Sequence, residues 1–509
     1  MCDATFRTTM VTRAAALSFC VLLAACGGGG GGGSDASGGG GGSDGGGGPV
    51  TISPATINVP IGGRTQFTLS PAQGATWSVG DVPGGNDTVG HISLIGGYTA
   101  PFVIPSASTA VPNGDPDPTV TIAASAATNT ATVTLVRRFI DDGPLNICAS
   151  SPSVCGPSAI IAPDLNGDGF ADLVTANSEN GTISVVMRSG ASSFVNPIPA
   201  PLQLGGSTSS APEALVAGLF NTDQFLDLVV AEAEHNLTLA PVVRTWLGEG
   251  DGTFPNSGKQ SLELPLGRSP LSIGAGHFNA DQKLDVVVAD FLTDTLTVLF
   301  GDGSGSFPTP TVLPLSDGIL SASPLGIAVA NFNGDLYDDI AVANNAADTV
   351  MVFIADGGGG FSAAQTYPII GNPSAIAATD LNLDGSPDLA VSTTSGGLVL
   401  ILNKGVLAAA TTFNAPGTPY PAGAQPVAVA AGDLNQDQPD DLVVVNLLDE
   451  TLVVYLGHGD GTLTVSETYT VGSAPQAVAV GDFNGDSFPD LAVANGGDGT
   501  VTILRNRGQ

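Results

Sequence analysis

A nine-residue acidic loop recurs seven times along the chain and restricts the folds that it can adopt. The first copy reads Asp-Leu-Asn-Gly-Asp-Gly-Phe-Ala-Asp over residues 164–172, and the others begin at residues 219, 277, 331, 380, 433 and 482. Asparagine at position 3 and aspartate at positions 5 and 9 occur in all seven copies, which we number loops 1 to 7. A repeat at this spacing indicates one supersecondary unit that is used repeatedly.

Each loop lies between two apolar segments, such as residues 427–430 and 442–445 in the sixth repeat. A short turn leads to a third apolar segment, and a glycine-rich turn leads to a fourth. Four strands in about fifty residues make one propeller blade. We therefore predict an all-β, seven-bladed β-propeller. Residues 139–148 are expected to complete the last blade by pairing with residues 500–506, because this removes exposed sheet edges.

The loops concentrate oxygen donors. Aspartate or asparagine at positions 1, 3 and 5, a backbone carbonyl at position 7 and aspartate at position 9 are hard ligands of the kind that calcium prefers. An EF-hand is excluded because the twelfth positions hold residues such as Thr175, Val444 and Val493 in place of glutamate. Asx-type turns without an ion are the alternative, but carboxylates that converge without a cation repel each other.

This pattern resembles the FG-GAP or VCBS repeat of integrin α-subunit propellers and of many bacterial surface proteins. The resemblance covers residues 139–509 and implies a seven-bladed propeller with several structural calcium ions as cofactors. The ligands that it implies are Asp164, Asn166, Asp168, Asp172, Asn331, Asn333, Asp335, Asp339, Asp380, Asn382, Asp384, Asp388, Asp433, Asn435, Asp437, Asp441, Asp482, Asn484, Asp486 and Asp490.

Three loops depart from the pattern at position 1. Leu219 has no side-chain oxygen, so loop 2 (with Asn221, Asp223 and Asp227) is expected to bind weakly or not at all. His277 makes loop 3 a doubtful site, whereas the amide oxygen of Asn331 can serve in loop 4. Position 6 also varies: Gly169 and Gly385 suit a tight turn. If the turn needs a positive φ, the five other residues at this position each cost about 1 kcal/mol relative to glycine.

The N-terminus has the features of an export signal. Arg13 precedes an apolar run over residues 14–25, which is typical of a secretory signal and too short to span a bilayer. Residues 23–26 (Leu-Ala-Ala-Cys) resemble a bacterial lipobox, which implies cleavage before Cys26 and lipid attachment to it. An ordinary signal peptide that is cut nearby is the alternative. With Gly27 in place of aspartate, the resemblance favours the outer membrane or cell surface of a Gram-negative bacterium.

A small β-sandwich is expected between this leader and the propeller. Strands are predicted at residues 50–52, 65–69, 75–79, 119–123 and 130–135. The segments 62–67, 77–79 and 97–101 resemble bacterial Ig-like domains of the adhesin type. The predicted organisation is a signal peptide over residues 1–26, a glycine-rich linker over 27–48, an Ig-like sandwich over 49–137 and the propeller over 138–509.

Cysteine usage and charge give further constraints. Cys148 and Cys155 are close in sequence in an exported chain and are expected to form a disulfide, two free buried thiols being the alternative. The net charge of −34 repels nucleic acid and anionic lipid head groups, so no nucleic-acid partner is expected.

The sequence carries no motif of a hydrolase, zinc enzyme or nucleotide-binding site in a supporting context. The favoured interpretation is a monomeric, non-enzymatic, lipid-anchored binding or adhesion platform for an unknown protein or glycan. A propeller-based lyase or glycosidase and a purely structural envelope protein are the alternatives, because a fold alone does not decide function.

Overall fold

The computed structural model describes residues 138–508 apart from residues 149–154, 189–193, 195–201, 204–209, 235–240, 256–259, 264–268, 316–320 and 406–412. Between residues 51 and 136 it describes the backbone of short strands. The predicted signal peptide, the glycine-rich linker and Cys26 lie outside the described residues. The chain divides into two compact units, one holding strands β1–β11 and the other strands β12–β39. No helix with the length and hydropathy of a membrane span occurs among the described residues.

The first unit contains β1 (Thr51–Ser53), β2 (Thr56–Pro60), β3 (Arg64–Gln66), β4 (Thr68–Ser70), β5 (Trp77–Val79), β6 (Val82–Pro83), β7 (Gly85–Asn86), β8 (Gly90–Ile92), β9 (Gly97–Thr99), β10 (Thr119–Ala124) and β11 (Ala131–Val136). They pair as β1-β4, β2-β11-β10-β5-β6 and β3-β9-β8-β7. Strands therefore occur in all five predicted segments. The predicted strand over residues 65–69 is instead two strands, β3 and β4, which pair with different partners.

The second unit begins with β12 (Phe139–Asn146), β13 (Pro157–Ile161), β14 (Leu173–Asn177), β15 (Thr182–Val186), β16 (Leu202–Gln203), β17 (Ser210–Gly218), β18 (Asp227–Glu234), β19 (Val242–Trp246), β20 (Gln260–Glu263), β21 (Pro270–Gly276), β22 (Asp285–Asp290), β23 (Thr295–Phe300), β24 (Thr309–Pro314) and β25 (Pro324–Ala330). It continues with β26 (Asp339–Asn344), β27 (Thr349–Phe353), β28 (Gln365–Pro368), β29 (Pro373–Thr379), β30 (Asp388–Thr393), β31 (Gly397–Ile401), β32 (Tyr420–Pro421), β33 (Pro426–Gly432), β34 (Asp441–Asn446), β35 (Thr451–Gly457), β36 (Leu463–Thr470), β37 (Pro475–Gly481), β38 (Asp490–Asn495) and β39 (Thr500–Asn506).

These strands form seven four-stranded antiparallel sheets, which confirms the predicted seven-bladed propeller. Blades 1 to 6 are consecutive groups of four strands from β13 to β36, and blade 7 has the order β37-β38-β39-β12. The first strand of every blade contacts the first strands of both neighbouring blades, and β13 contacts β37. The ring is therefore closed.

The last blade is completed by the start of the unit, as predicted. Strand β12 pairs antiparallel with β39, with Phe139 opposite Asn506 and Asn146 opposite Thr500. Because β39 also pairs with β38, it is an inner strand of the sheet. Its other partner, β12, lies more than three hundred residues earlier in the sequence. This pairing covers two strand edges that would otherwise be open.

The second strand of each blade forms the core. Strands β22, β26, β30, β34 and β38 are buried along their whole length, because both of their faces pack against neighbouring blades. Along β26, Ile340 and Val342 pack in a cluster with blade 3, whereas Ala341 and Ala343 pack in a cluster with blade 5. Side chains alternate between the two faces of a strand, so apolar residues in an uninterrupted run serve both interfaces.

Cys148 and Cys155 form a disulfide, as predicted. It bridges the connection between β12 of blade 7 and β13 of blade 1, and therefore reinforces the closure of the ring. Closing so short a loop lowers the entropy of the unfolded chain by an amount worth roughly 2–3 kcal/mol.

We expect the double substitution of Cys148 and Cys155 by serine to lower the free energy of unfolding by that amount in urea denaturation. The reducing agent dithiothreitol should destabilise the wild-type protein equally and leave the double variant unchanged. Equal stability of the wild type in oxidising and reducing buffer would contradict the prediction.

Candidate metal-binding loops

All seven acidic loops join the first strand of a blade to its second strand. Because the strands are antiparallel, the loops lie on one face of the ring, together with the turns between third and fourth strands. Position 9 falls at the start of the second strand, where the chain enters the core between blades. Positions 4 to 6 are exposed in all seven loops.

The aspartate at position 9 is buried without measurable exposure in every loop. In loop 1, Asp172 Oδ2 accepts a hydrogen bond from the Leu165 backbone N–H at 2.9 Å, and Oδ1 accepts one from the Arg188 backbone N–H at 2.6 Å. The equivalent pairs of bonds are made by Asp227, Asp285, Asp339, Asp388, Asp441 and Asp490. This carboxylate thus joins the loop to the end of the third strand.

Burial raises the pKa of these carboxyl groups. The pKa rises to about 7 for Asp339, Asp441 and Asp490. The main cause is loss of hydration, and backbone N–H donors oppose it. The charges at positions 5 and 1 raise the pKa of Asp490 further, since Asp486 and Asp482 are close. A cation in the loop would offset this repulsion.

Positions 1, 3 and 5 turn their oxygens toward the inside of the loop. In loop 1, Asp164 Oδ1 accepts the Gly167 N–H at 2.8 Å, and Oδ2 accepts the Gly169 N–H at 2.9 Å. Asn166 Oδ1 accepts the Asp168 N–H at 3.0 Å, and Asp168 Oδ1 accepts the Phe170 N–H at 3.0 Å. These are nested Asx-type turns, and they hold three oxygen-bearing side chains around one short stretch of backbone.

Loops 5, 6 and 7 repeat this arrangement with aspartate at position 1. Asp380, Asp433 and Asp482 each accept main-chain N–H groups with both carboxylate oxygens. Loop 4 achieves it with an amide: Asn331 Oδ1 accepts the Gly334 N–H at 2.7 Å. In these loops and in loop 1 the aspartate at position 5 is exposed. The donor set is therefore all oxygen and open on one side, which suits a hard cation such as calcium.

No group of three or more His, Cys, Asp or Glu side chains in the described part of the chain is arranged to hold a metal ion. The hydrogen bonds give the physical reason, since the loop carboxylates accept backbone N–H groups. A bound cation would have to replace some of these bonds. The implied ligands are thus near one another along each loop, but their oxygens point at amide groups.

Loops 2 and 3 do not provide the same donors. Leu219 is 48% exposed at position 1 of loop 2 and contributes no oxygen. In loop 3, His277 Nδ1 lies 3.0 Å from the Lys283 carbonyl oxygen, the backbone group at position 7. Lys283 Nζ lies 3.9 Å from Asp281 Oδ2. These two loops do not fit the donor set of the other five.

Two positions in the loops adopt positive φ, although the sequence pointed to only one. Position 6 has a positive φ at Gly169, Gly385, Gln282, Gln438 and Ser487. Gln224 and Leu336, described at the same position of loops 2 and 4, are not among the residues with positive φ. Position 4 is also left-handed in several loops, including at the non-glycine residues Leu383 and Gln436. The expected strain at position 6 therefore falls on three residues and not on five.

We expect Gln438→Gly to stabilise the protein by about 1 kcal/mol, because the glutamine holds a φ of 90° that only glycine adopts without strain. Urea denaturation measures the change. Leu336→Gly is the matched control, since that residue occupies the same position without positive φ and is 88% exposed. The control should gain nothing; an equal gain in both variants would contradict the assignment of strain.

Sequence reasoning missed the role of position 2. Its side chain is leucine or phenylalanine in all seven loops and is at most 4% exposed. Four of these residues contact a phenylalanine of the next blade, with ring centroids 5.4–6.0 Å apart, in the pairs Phe220–Phe307, Phe278–Phe361, Phe332–Phe413 and Phe483–Phe194. The loops are therefore packed against neighbouring blades. The phenylalanine that recurs before the fourth strand in blades 1 to 5 was the available signal.

Comparison with solved structures finds propeller-sized matches at low identity. The structure of BBS1N in complex with ARL6DN, soaked with lead, is 12% identical with a TM-score of 0.49, covering 72% of this chain and 97% of that one. A streptogramin B lyase is 14% identical with a TM-score of 0.47, covering 72% and 98%. A protein from Lactobacillus plantarum is 14% identical with a TM-score of 0.45, covering 70% and 94%. The architecture itself rests on the strand pairing of this chain.

No curated protein matches the sequence. Family models do match it. The FG-GAP-like repeat model matches residues 220–288, 277–342, 331–391, 380–444 and 433–493, and the FG-GAP repeat model matches residues 156–186. The FG-GAP-like segments run from residue 220 to residue 493 and contain loops 2 to 7, with loop 2 matched from its second residue. The segment 156–186 contains loop 1. Together the matched segments cover more than half of the chain. The chain therefore belongs to the FG-GAP-like repeat family.

Proposed function

We propose that this propeller is a calcium-stabilised platform that binds a protein or glycan partner outside the cytoplasm. The observation that carries the proposal is the recurrence, on one face of a closed ring, of loops whose donors are all oxygen. Calcium accepts six to eight such oxygens in flexible geometry. We assign it to loops 1, 4, 5, 6 and 7, through the side chains at positions 1, 3, 5 and 9.

The proposed role of the ions is structural rather than catalytic, because the same loop occurs in every blade. Propellers bind partners through loops at the ends of the ring or through the central channel. The longest insertions in the sequence, residues 196–210, 234–241, 316–323 and 406–424, are the proposed contact segments. The proposed partner is a protein or a glycan.

The rest of the chain is proposed to present this platform at the cell envelope. Lipid on Cys26 would anchor it, residues 27–48 would form a tether, and an Ig-like domain over residues 49–137 would act as a spacer. The disulfide supports an oxidising compartment outside the cytoplasm. Mass spectrometry of the protein extracted from membranes tests the anchor: a diacylated or triacylated Cys26 is expected, and a soluble product cleaved elsewhere would exclude it.

Removal of calcium is expected to lower the melting temperature by several degrees. An ion that binds only the folded protein stabilises it by about 2.7 kcal/mol when its concentration is a hundredfold above Kd. Thermal melting in calcium and in EDTA measures the effect. Magnesium should not restore the loss, because it demands a tighter octahedral site. Identical melting in calcium and EDTA would contradict the assignment.

A binding screen tests the platform role. The protein is applied to a glycan array and to extracellular-matrix proteins in calcium and in EDTA, and calcium-dependent retention of a defined ligand is expected. Polysaccharide turnover in the same samples would instead indicate a lyase or glycosidase. Absence of both binding and turnover would favour a purely structural envelope protein.

A further inference from the structure

Loop 3 has a histidine at position 1 and a lysine at position 7, and no other loop has a basic residue at either position. Position 1 is His277, and position 7 is Lys283, where loops 1, 2 and 7 have phenylalanine. The ring of His277 lies against the carbonyl of Lys283, with Nδ1 3.0 Å from the oxygen. A carbonyl only accepts hydrogen bonds, so Nδ1 carries the proton. The backbone oxygen that would face a metal at position 7 is therefore already bonded within the loop.

The ammonium group of Lys283 lies beside the carboxylate at position 5. Its Nζ is 3.9 Å from Asp281 Oδ2. Asp302 lies in the turn between the third and fourth strands of the same blade, where hydrogen bonds from Ser304 are the main cause that lowers its pKa and the charge of Lys283 adds a smaller effect. The positive charge of Lys283 thus acts on a carboxylate of the loop and on a carboxylate of the turn. Loop 3 therefore contains a positive charge of its own.

The next blade also contacts loop 3. The His277 N–H donates to Asp338 Oδ2 at 2.8 Å, and the His277 carbonyl accepts the Asp338 N–H at 2.9 Å. Ala280 N–H donates to the Gly357 carbonyl at 3.0 Å, again in blade 4. These contacts hold positions 1 and 4 of the loop against blade 4.

We infer that loop 3 uses the Lys283 ammonium and the ring Nδ1–H of His277 in place of calcium, so that blades 2 and 3 together form a calcium-free sector of the ring. Leu219 removes the position-1 ligand in the adjacent loop 2. The calcium-binding loops then belong to five consecutive blades, numbers 4, 5, 6, 7 and 1. This inference rests on the proposed function, because it presupposes that those five loops bind the metal.

The experiment counts calcium ions per chain by mass spectrometric metal analysis after equilibrium dialysis. Three variants are compared with the wild type: Asp281→Ala in loop 3, Asp384→Ala in loop 5 as the matched control, and the double variant His277→Asp with Lys283→Phe. The double variant recreates in loop 3 the residues of loops 1 and 7 at both positions. Phenylalanine at position 7 is expected to pack over the turn at Gly303, because the aliphatic stem of Lys283 already lies against that glycine.

The wild type is expected to bind five ions, one for each of loops 1, 4, 5, 6 and 7. Asp281→Ala should still bind five, Asp384→Ala four, and the double variant six. Loss of one ion in Asp281→Ala would overturn the inference, and so would a double variant that folds but gains none. A wild type that binds no calcium would instead overturn the proposed function, so the two failures are distinguishable.

Discussion

A variant that ends at Gly499 is expected to lose at least about 5 kcal/mol of stability and to fail to form a closed propeller. The deleted strand β39 lies between β38 and β12, so its loss unpairs both neighbours. Val501 and Leu504 are fully buried and Ile503 nearly so. Burying each such side chain is worth about 1.5–3 kcal/mol, and the total approaches the whole stability of a typical domain. Urea denaturation followed by circular dichroism measures the loss, and size-exclusion chromatography reports compactness.

The matched control removes only residues 508–509. It keeps β39 and the bond from Arg507 N–H to the Arg138 carbonyl, so it should unfold like the full chain. If the longer deletion unfolded at the same urea concentration as this control, the ring would not depend on the pairing of its two distant ends. That result would contradict the account of closure.

Asp441→Asn is expected to destabilise the propeller by about 3 kcal/mol or more. Asp441 Oδ2 accepts the Leu434 N–H at 3.0 Å, and Oδ1 accepts the Gly457 N–H at 2.9 Å, without exposure to water. An asparagine keeps one acceptor but directs an NH2 group at a backbone N–H. The variant therefore loses a charge-assisted hydrogen bond and leaves a buried donor unsatisfied.

The control is Asp437→Asn, an exposed residue of the same loop. In EDTA it should change stability little, because Asp437 stands near solvent. In calcium it should lose one ion without unfolding. Equal destabilisation by the two substitutions in EDTA would show that position 9 has no special structural role, contrary to the hydrogen bonding.

The blade count and the closing strand could be predicted because the repeat is recognisable from the sequence alone. Seven copies of one loop, each followed by apolar runs, fix the number of sheets, and the segment before the first loop was the candidate for the strand that pairs with β39. Both inferences depend on local pattern and on the need to cover strand edges. The disulfide between Cys148 and Cys155 was predicted on a separate ground, namely two cysteines close in sequence in an exported chain.

Contacts between residues that are distant in sequence could not be predicted in this way. The second partner of Asp172 is the backbone of Arg188, which is sixteen residues away, and Phe220 meets Phe307 in another blade. A local sequence pattern does not specify which distant residue a given side chain will contact. The strain at position 4, at Leu383 and Gln436, was also missed, because leucine and glutamine carry no sequence signal of a positive φ.

Loop 3 shows where sequence reasoning reached its limit. The substitution of His277 for aspartate marked the site as doubtful, but the role of Lys283 was not recognised. Its importance depends on the side chain turning toward Asp281 and on the histidine ring bonding to the lysine carbonyl. These are consequences of the folded turn, where residues six apart meet.

A crystal structure of the propeller grown in calcium and measured at a long X-ray wavelength tests the central claim most directly, because anomalous density locates calcium without reference to the protein atoms. We predict peaks in loops 1, 4, 5, 6 and 7, each surrounded by oxygens at about 2.3–2.6 Å, and none in loops 2 and 3. Loops without anomalous density at saturating calcium, with their carboxylates still bonded to backbone amides, would contradict the account.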